Sequence, residues 1–173
     1  VIYHNKDILN FSIEKLTDAK LTVFGNLPYN ISTEILTSWI IKINSIGWFD
    51  KLILMFQKEV ADRIVSKYNT SNYGRLSIIS NWKFNIKKRI DIKPTSFNPK
   101  PKVDSSLLIF SPKQDYVKLD NPKNLEKVTR IFFNQRRKKI KNPMRQLFKN
   151  YEDISNRLNL NLNLRPQNLD YDI

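Results

Sequence analysis

The segment Val23-Phe24-Gly25-Asn26-Leu27-Pro28-Tyr29-Asn30-Ile31-Ser32-Thr33 constrains this chain more than any other. Apolar residues of strand type run into a polar amide, a proline and an aromatic, and helix-forming sequence follows at once. A strand that turns directly into a helix opens a βαβ unit, and α/β sheets hold their ligands at the carboxyl ends of the strands. The turn therefore gathers an amide carbonyl, backbone carbonyls and a flat ring at a ligand-binding place. Such a set can accept hydrogen bonds from an exocyclic amine while the ring stacks on the heterocycle that carries it. Taken alone, Asn26-Leu27-Pro28-Tyr29 also reads as an ordinary strand-to-helix turn with an Asn cap, because Asn and Pro dominate turns.

The flanking pattern extends this reading. Val1–His4 reads as a short strand followed by a turn at Asn5-Lys6-Asp7, and Leu21–Phe24 as a second strand. Ser32 or Thr33 can cap a helix whose apolar face is Ile35, Leu36, Trp39, Ile40 and Ile43. Lys51–Phe56 is nearly all apolar, as a parallel strand covered on both faces is. Lys58–Tyr68 reads as an amphipathic helix, Arg75–Trp82 as a short helix, and Phe84–Ile92 as a strand. Pro94–Pro101 is a stiff loop, and Asp104–Phe110 a final strand that closes the sheet edge as an antiparallel pair with its predecessor. Around Gln114–Asn124 polar residues and prolines end the α/β part. Leu125, Val128, Ile131 and Phe132 then set a helical stripe, and Asn142-Pro143 predicts a further helix with Met144, Leu147 and Phe148 inward. The expected organisation is an α/β domain over 1–115 and a small all-α domain over 116–173.

Charge decides the class of partner. Among 173 residues, 30 are basic and 16 acidic, for a net charge of +14. A surface of that sign attracts phosphate backbones and releases their counterions. The charge is also concentrated: Arg130, Arg136, Arg137, Lys138, Lys139, Lys141, Arg145 and Lys149 occur with no acid between Val128 and Lys149. A solvated helix face is the plainer reading, but the lack of compensating acids favours contact with RNA. Lys83, Lys87, Lys88, Arg89 and Lys93 form a second basic stretch on a strand. The absence of Cys removes disulfides and thiolate metal sites, and His4 stands alone, so no metal is expected. The apolar stretch Ile35–Ile46 is broken by Lys42 and Asn44 and is too short to span a bilayer, so a soluble, cytoplasmic, monomeric protein is expected.

Several segments together resemble the small-subunit ribosomal RNA adenine dimethyltransferases, the family of bacterial KsgA and its eukaryotic relatives. They are FGNLPYNIST (24–33), QKEVADRI (57–64), YGRLS (73–77), SFNPKPKVDSSL (96–107), FFNQRRKKIKN (132–142) and LNLNLRPQNLD (160–170). Asn-Leu-Pro-Tyr alone has moderate specificity; joined to the others it is highly specific. The erythromycin-resistance ribosomal RNA methyltransferases share the first motif and the PKPKV segment.

The resemblance implies a Rossmann-like S-adenosylmethionine domain followed by a small helical RNA-binding domain. It implies transfer of two methyl groups to each of two adjacent adenines near the 3′ end of small-subunit RNA, on the immature small subunit, as part of its maturation. It assigns the catalytic turn to Asn26, Leu27, Pro28 and Tyr29, with Tyr29 and Phe97 stacking on the target base. Asp7 and Asn26 are assigned to the cofactor. In isolation Asp7 reads equally as a turn-capping residue, and Phe97 as an anchor for its proline-rich loop. Arg75 fits either RNA contact or a carboxylate partner such as Glu59. The family's glycine-rich loop and the acidic residue after its second strand have no counterpart among these residues, and Val1 aligns with the family's third strand. The expectation is thus a partial methyltransferase domain, either a piece of a longer protein or a gene remnant, that binds cofactor weakly. The alternatives are a non-catalytic RNA-binding remnant of that enzyme, or a large-subunit methyltransferase of the resistance type.

Overall fold

The computed structural model describes every residue except 12, 14, 15, 17, 44–48 and 172. Positions 44–46 of the apolar stretch noted above lie outside the described residues. The chain divides into two compact units: Val1–Ala61 with Lys83–Asp115, and Asp62–Trp82 with Tyr116–Ile173.

The first unit is built on a four-stranded sheet, order β1-β2-β4-β3. Its strands are β1 (Leu21–Asn26), β2 (Phe49–Gln57), β3 (Phe84–Ile92) and β4 (Ser105–Pro112). β1 and β2 run parallel, joined through α1 (Ser32–Lys42), which is the βαβ unit the sequence predicts. β4 pairs antiparallel with both β2 and β3. β2 lies between two neighbours, and Leu52, Leu54 and Phe56 are fully buried. Each such side chain contributes about 1.5–3 kcal/mol by leaving water. β1 alternates in burial along its length, with Phe24 left exposed. Gly25 answers to the neighbouring strand: a Cβ there would lie 2.7 Å from Leu54 Cδ2 and 3.2 Å from Leu27 Cδ2. On β3 the ladder shifts between Lys88 and Ile90, so Arg89 bulges from the pairing.

α1 buries Ile35, Leu36, Trp39 and Ile40, and Ile43 beyond its end, as the periodicity predicts. Its start differs. Ile31 occupies the cap position with no side-chain cap bond, and Ser32 Oγ donates instead to the Tyr29 carbonyl at 3.2 Å. Lys83 closes the other end of α1: its buried Nζ donates to the carbonyls of Ile40 at 3.0 Å and Ile43 at 2.7 Å. Burial lowers the pKa of that ammonium, and the carbonyls at a helix C-terminus are its natural partners.

Val1–His4 is not a strand. Residues 1–7 carry no regular structure, and Val1, Ile2 and Tyr3 are exposed. A run of apolar residues becomes a strand only when a neighbour completes its ladder, and none of the described strands pairs with this one.

The second unit is helical among its described elements. Its elements are the end of α2 (Lys58–Ile64), α3 (Arg75–Lys83) up to Trp82, α4 (Pro122–Asn134), α5 (Lys141–Leu147) and α6 (Tyr151–Arg157). α2 stops short of the expected Tyr68, because Ser66 Oγ donates back to the Asp62 carbonyl at 2.5 Å and Asn69 takes a positive φ of 64°. Asn121 caps α4 by accepting from the Lys123 amide at 3.0 Å, with Pro122 opening the helix. α5 starts at Lys141, one residue before the predicted cap at Asn142. Pro143 still falls in the first turn, where its missing N–H costs nothing. Phe132, Ile140, Met144 and Leu160 form the buried core of this unit.

An ion network in the first unit ties the start of α2 to β3. Asp91 accepts from Lys58 Nζ at 2.5 Å, Lys88 Nζ at 2.8 Å and Ser106 Oγ at 2.6 Å. The Lys58, Lys88 and Ser106 hydrogen bonds hold its carboxyl well below the usual carboxylate range. A depressed carboxyl contributes stability that is complete above its unfolded pKa of about 3.9 and is lost as pH falls below it. Acid unfolding monitored by circular dichroism will therefore be shallower below about pH 4 in Asp91→Asn than in the parent chain. At neutral pH the variant will be the less stable of the two. Gly25→Ala will lower stability by about 1–3 kcal/mol in urea denaturation, because the new methyl must displace a packed Leu54.

Candidate functional site: an amine-acceptor turn and a basic helical surface

Sheet topology decides which segments meet. β1 and β2 end where β4 begins and where β3 ends: Asn26 registers with Met55, Gln57 with Ser105, and Ser105 with Ile92. The Asn26–Tyr29 turn, the start of α2 and the loop 93–104 therefore lie at one end of the sheet. This is the carboxyl end of its parallel pair, where α/β folds hold ligands. The Asp104 carbonyl accepts from the Lys58 amide at 2.9 Å, and its carboxylate binds Lys93 Nζ at 2.7 Å, so the loop and α2 are fastened together.

Within the turn the side chains divide by role. Leu27 is buried beneath Gly25 and Leu54, whereas Asn26 and Pro28 are exposed. The Asn26 amide makes no hydrogen bond among the described residues and stands at the strand's tip, open to a ligand. The Pro28 carbonyl accepts from the Ile31 amide at 3.1 Å, closing the turn into α1, and the Tyr29 carbonyl accepts from Ser32 Oγ at 3.2 Å. The Leu27 carbonyl has no such commitment within the turn. Tyr29 is half-buried, and its phenol oxygen lies 2.5 Å from Ser105 Oγ. That bond joins the FGNLPYNIST and SFNPKPKVDSSL segments, although the resemblance gives Ser105 no role. Two serines, both buried, open the apolar run of β4, a signal that could have found it.

The other assigned residues fall differently. Phe97 is half-buried in the loop after the Pro94–Ser96 3-10 turn, at the same end of the sheet. Asp7 is engaged locally. Its carboxylate accepts from the Leu9 amide at 3.0 Å and Asn10 Nδ2 at 2.9 Å, so both oxygens serve its own turn. That turn is held by Lys42 Nζ, which donates to the Leu9 carbonyl at 2.9 Å. Lys42 lies at the far end of α1, about 16 Å of helix from the turn that starts it. Of the two residues assigned to the cofactor, Asn26 alone has a free side chain at the site.

The basic residues also separate. Arg136 donates to the carbonyls of Ser71 at 2.5 Å and Tyr73 at 3.1 Å, and so clamps the loop before α3. Arg75 pairs with Glu126 on α4 rather than with Glu59. Tyr73 is fully buried, with Phe133 and Tyr171 edge-on to its ring, and burial pushes its phenol far above the usual range. Ser77 Oγ donates to the Arg63 carbonyl at 2.6 Å and accepts from the Gly74 amide at 3.1 Å. YGRLS is thus the fastening of the second unit. Lys139 reaches Asn163 Oδ1 at 2.9 Å. Arg130, Arg137, Lys138, Lys141, Arg145 and Lys149 are exposed, and Lys141 and Arg145 share a face of α5 opposite buried Pro143. In the second basic stretch, Lys83 is buried and Lys88 and Lys93 are paired with Asp91 and Asp104, which leaves Lys87 and Arg89 as its outward charges. Among the described residues no group of three or more His, Cys, Asp or Glu could hold a metal, and no helix is long and apolar enough to cross a membrane.

The chain is similar to known proteins along nearly its whole length. The family model described as ribosomal RNA adenine dimethylase matches residues 1–170. The ribosomal RNA small subunit methyltransferase A of Pelagibacter ubique (strain HTCC1062) is 62% identical over 169 residues, covering 98% of this chain and 64% of that protein. That of Ehrlichia ruminantium (strain Gardel) is 41% identical over 167 residues, covering 94% of this chain and 61% of its own length. The chain therefore spans under two thirds of these curated relatives. Among solved structures, a dimethyladenosine transferase from Plasmodium falciparum superposes with a TM-score of 0.64 at 24% identity, covering 94% of this chain and 67% of the other. The 23S rRNA methyltransferase ErmE gives 0.60 at 18% identity, covering 95% and 67%. These two likenesses show the Rossmann-like methyltransferase fold. With a family model matched over residues 1–170, the chain belongs to the ribosomal RNA adenine dimethylase family.

Proposed function

We propose that this chain carries the target-adenine half of an S-adenosylmethionine-dependent dimethyltransferase that acts on adjacent adenines near the 3′ end of small-subunit ribosomal RNA. The observation that carries the reading is the Asn26–Tyr29 turn at the carboxyl end of parallel β1 and β2, with an open amide beside a tethered ring. The adenine N6 lone pair is delocalised into its ring and attacks poorly. Two acceptors on the amino hydrogens hold that nitrogen nearer tetrahedral and aim its lone pair. Asn26 Oδ1 is the first acceptor. The Leu27 carbonyl is the second, since the Pro28 carbonyl is occupied by Ile31. Positioning and electrostatics then do the work, without a metal or a covalent nucleophile. Tyr29 replaces the stacking that the base loses when it leaves its neighbours, and Phe97 is the second platform. The methyl donor belongs to the part of the site that these residues do not build, and Asp7 is left out of it.

The RNA surface of this proposal is Arg130, Arg137, Lys138, Lys139, Lys141 and Arg145 in the 116–173 domain. Arg136 takes part by holding the loop in place. The partner is the immature small subunit, and the setting is cytoplasmic and monomeric.

A chimera that joins this chain to the remainder of the Pelagibacter ubique relative tests the activity. It will transfer labelled methyl groups to adenine N6 of unmethylated small subunits, and modification confined to large-subunit RNA would contradict the reading. In that chimera Tyr29→Ala will lower methyl transfer about 5- to 150-fold, the equivalent of roughly 1–3 kcal/mol of lost stacking. Reversing charge at Arg137, Lys138 and Arg145 will weaken RNA binding and flatten its log–log salt slope by roughly 0.7–0.9 for each phosphate no longer neutralised. An unchanged salt slope would show that this surface does not meet RNA. Arg136→Ala will instead lower the melting temperature, while Arg137→Ala will leave it unchanged.

A further inference from the structure

Stacking on adenine uses the face of an aromatic ring, and a phenylalanine offers that face as well as a tyrosine does. The phenol of Tyr29 must therefore act elsewhere, and its partner is Ser105 Oγ at 2.5 Å. Ser105 is fully buried at the first position of β4. Its backbone is fixed from both sides, registered with Gln57 on β2 and Ile92 on β3. The preceding residue is fixed too, since the Asp104 carbonyl accepts from the Lys58 amide and its carboxylate holds Lys93. The serine oxygen is thus an immobile point of the sheet. At the other end of Tyr29, the backbone carbonyl is held by Ser32 Oγ. A ring held at its root and at its tip keeps its long axis in one direction.

We propose that Ser105 is a positioning residue: through the Tyr29 phenol it fixes the long axis, and so the place, of the ring against which the target purine stacks. This rests on the target-base reading of the turn and adds the residue that sets its geometry. An untethered ring would swing about its side-chain torsions, and each productive encounter would then bear the cost of ordering it.

The test is a double-substitution cycle on the full chain. The probe is an RNA hairpin from the 3′ region of small-subunit RNA, with 2-aminopurine in place of one of two adjacent loop adenines. Stacking on a tyrosine quenches its fluorescence, so quenching reads the base on the ring without any methyl donor. Ser105→Ala and Tyr29→Phe will each weaken quenched-state binding about 2- to 10-fold, the range of one hydrogen bond. The double variant will be no weaker than either single one, and Ser105→Thr, which keeps the hydroxyl, will bind as the parent does. If Ser105→Ala costs as much in the Tyr29→Phe background as in the parent, Ser105 acts through the strand and the proposal is overturned. The proposal fails equally if Ser105→Ala has no effect while Tyr29→Ala abolishes quenching. If Tyr29→Ala leaves quenching intact, the stacking reading itself has failed, a result distinct from either. Should Ser105→Ala not fold, Tyr29→Phe against Tyr29→Ala still separates tether from platform.

Discussion

β2 is the member on which the first unit depends. It pairs parallel with β1 along one edge and antiparallel with β4 along the other, and its Leu52, Leu54 and Phe56 are fully buried. That mixed pairing has a chemical consequence. A parallel neighbour and an antiparallel neighbour bring a strand's carboxyl end and another's amino end to the same place. The Asn26–Tyr29 turn and Ser105, 76 positions from Tyr29 in sequence, become hydrogen-bond partners as a result. Gly25 keeps the β1–β2 approach close enough for this, because any Cβ there would meet Leu54. The site is then a by-product of register, and what disturbs the packing around β2 disturbs the turn.

The second unit uses charge in two different ways. Arg75 and Arg136 are inward-working cations: one pairs with Glu126, the other closes over the carbonyls of Ser71 and Tyr73. The exposed cations of α4, α5 and the turn between them have no such duty, apart from Lys139 on Asn163. A net charge of +14 is therefore not a uniform coat. Part of it holds the fold, and the remainder is available for a polyanion.

Much of this was legible in the sequence because the signals were local and periodic. The β1–α1–β2 unit, the β3–β4 pair and the apolar stripe of α4 follow from alternation, 3.6-residue spacing and proline punctuation. Val1–His4 failed as a strand because pairing is a property of neighbours and not of the four residues themselves. α2 ended early because Ser66 bonds back to Asp62, a competition that periodicity does not register. The turn into α1 was readable from Asn26-Leu27-Pro28-Tyr29, yet the use of the Pro28 carbonyl by the Ile31 amide, on which the proposal of Leu27 as backbone acceptor rests, was not. Asp7 read equally as a cofactor contact and as a turn-capping acid, and its oxygens accept from Leu9 and Asn10 within its own turn. The basic cluster was visible as composition, but which cations face inward depends on carbonyls and acids more than 50 residues away in sequence.

The central proposal is that these residues hold the acceptor half of a methyl-transfer site without the donor half. Equilibrium binding of labelled S-adenosylmethionine to the chain, alone and with the adjacent-adenine RNA hairpin, tests it most directly. The account predicts salt-dependent binding of the RNA and no saturable binding of the methyl donor in either case. Saturable micromolar binding of the donor by the folded chain would contradict it, and would mean that Asp7, Asn26 and their neighbours complete a pocket after all.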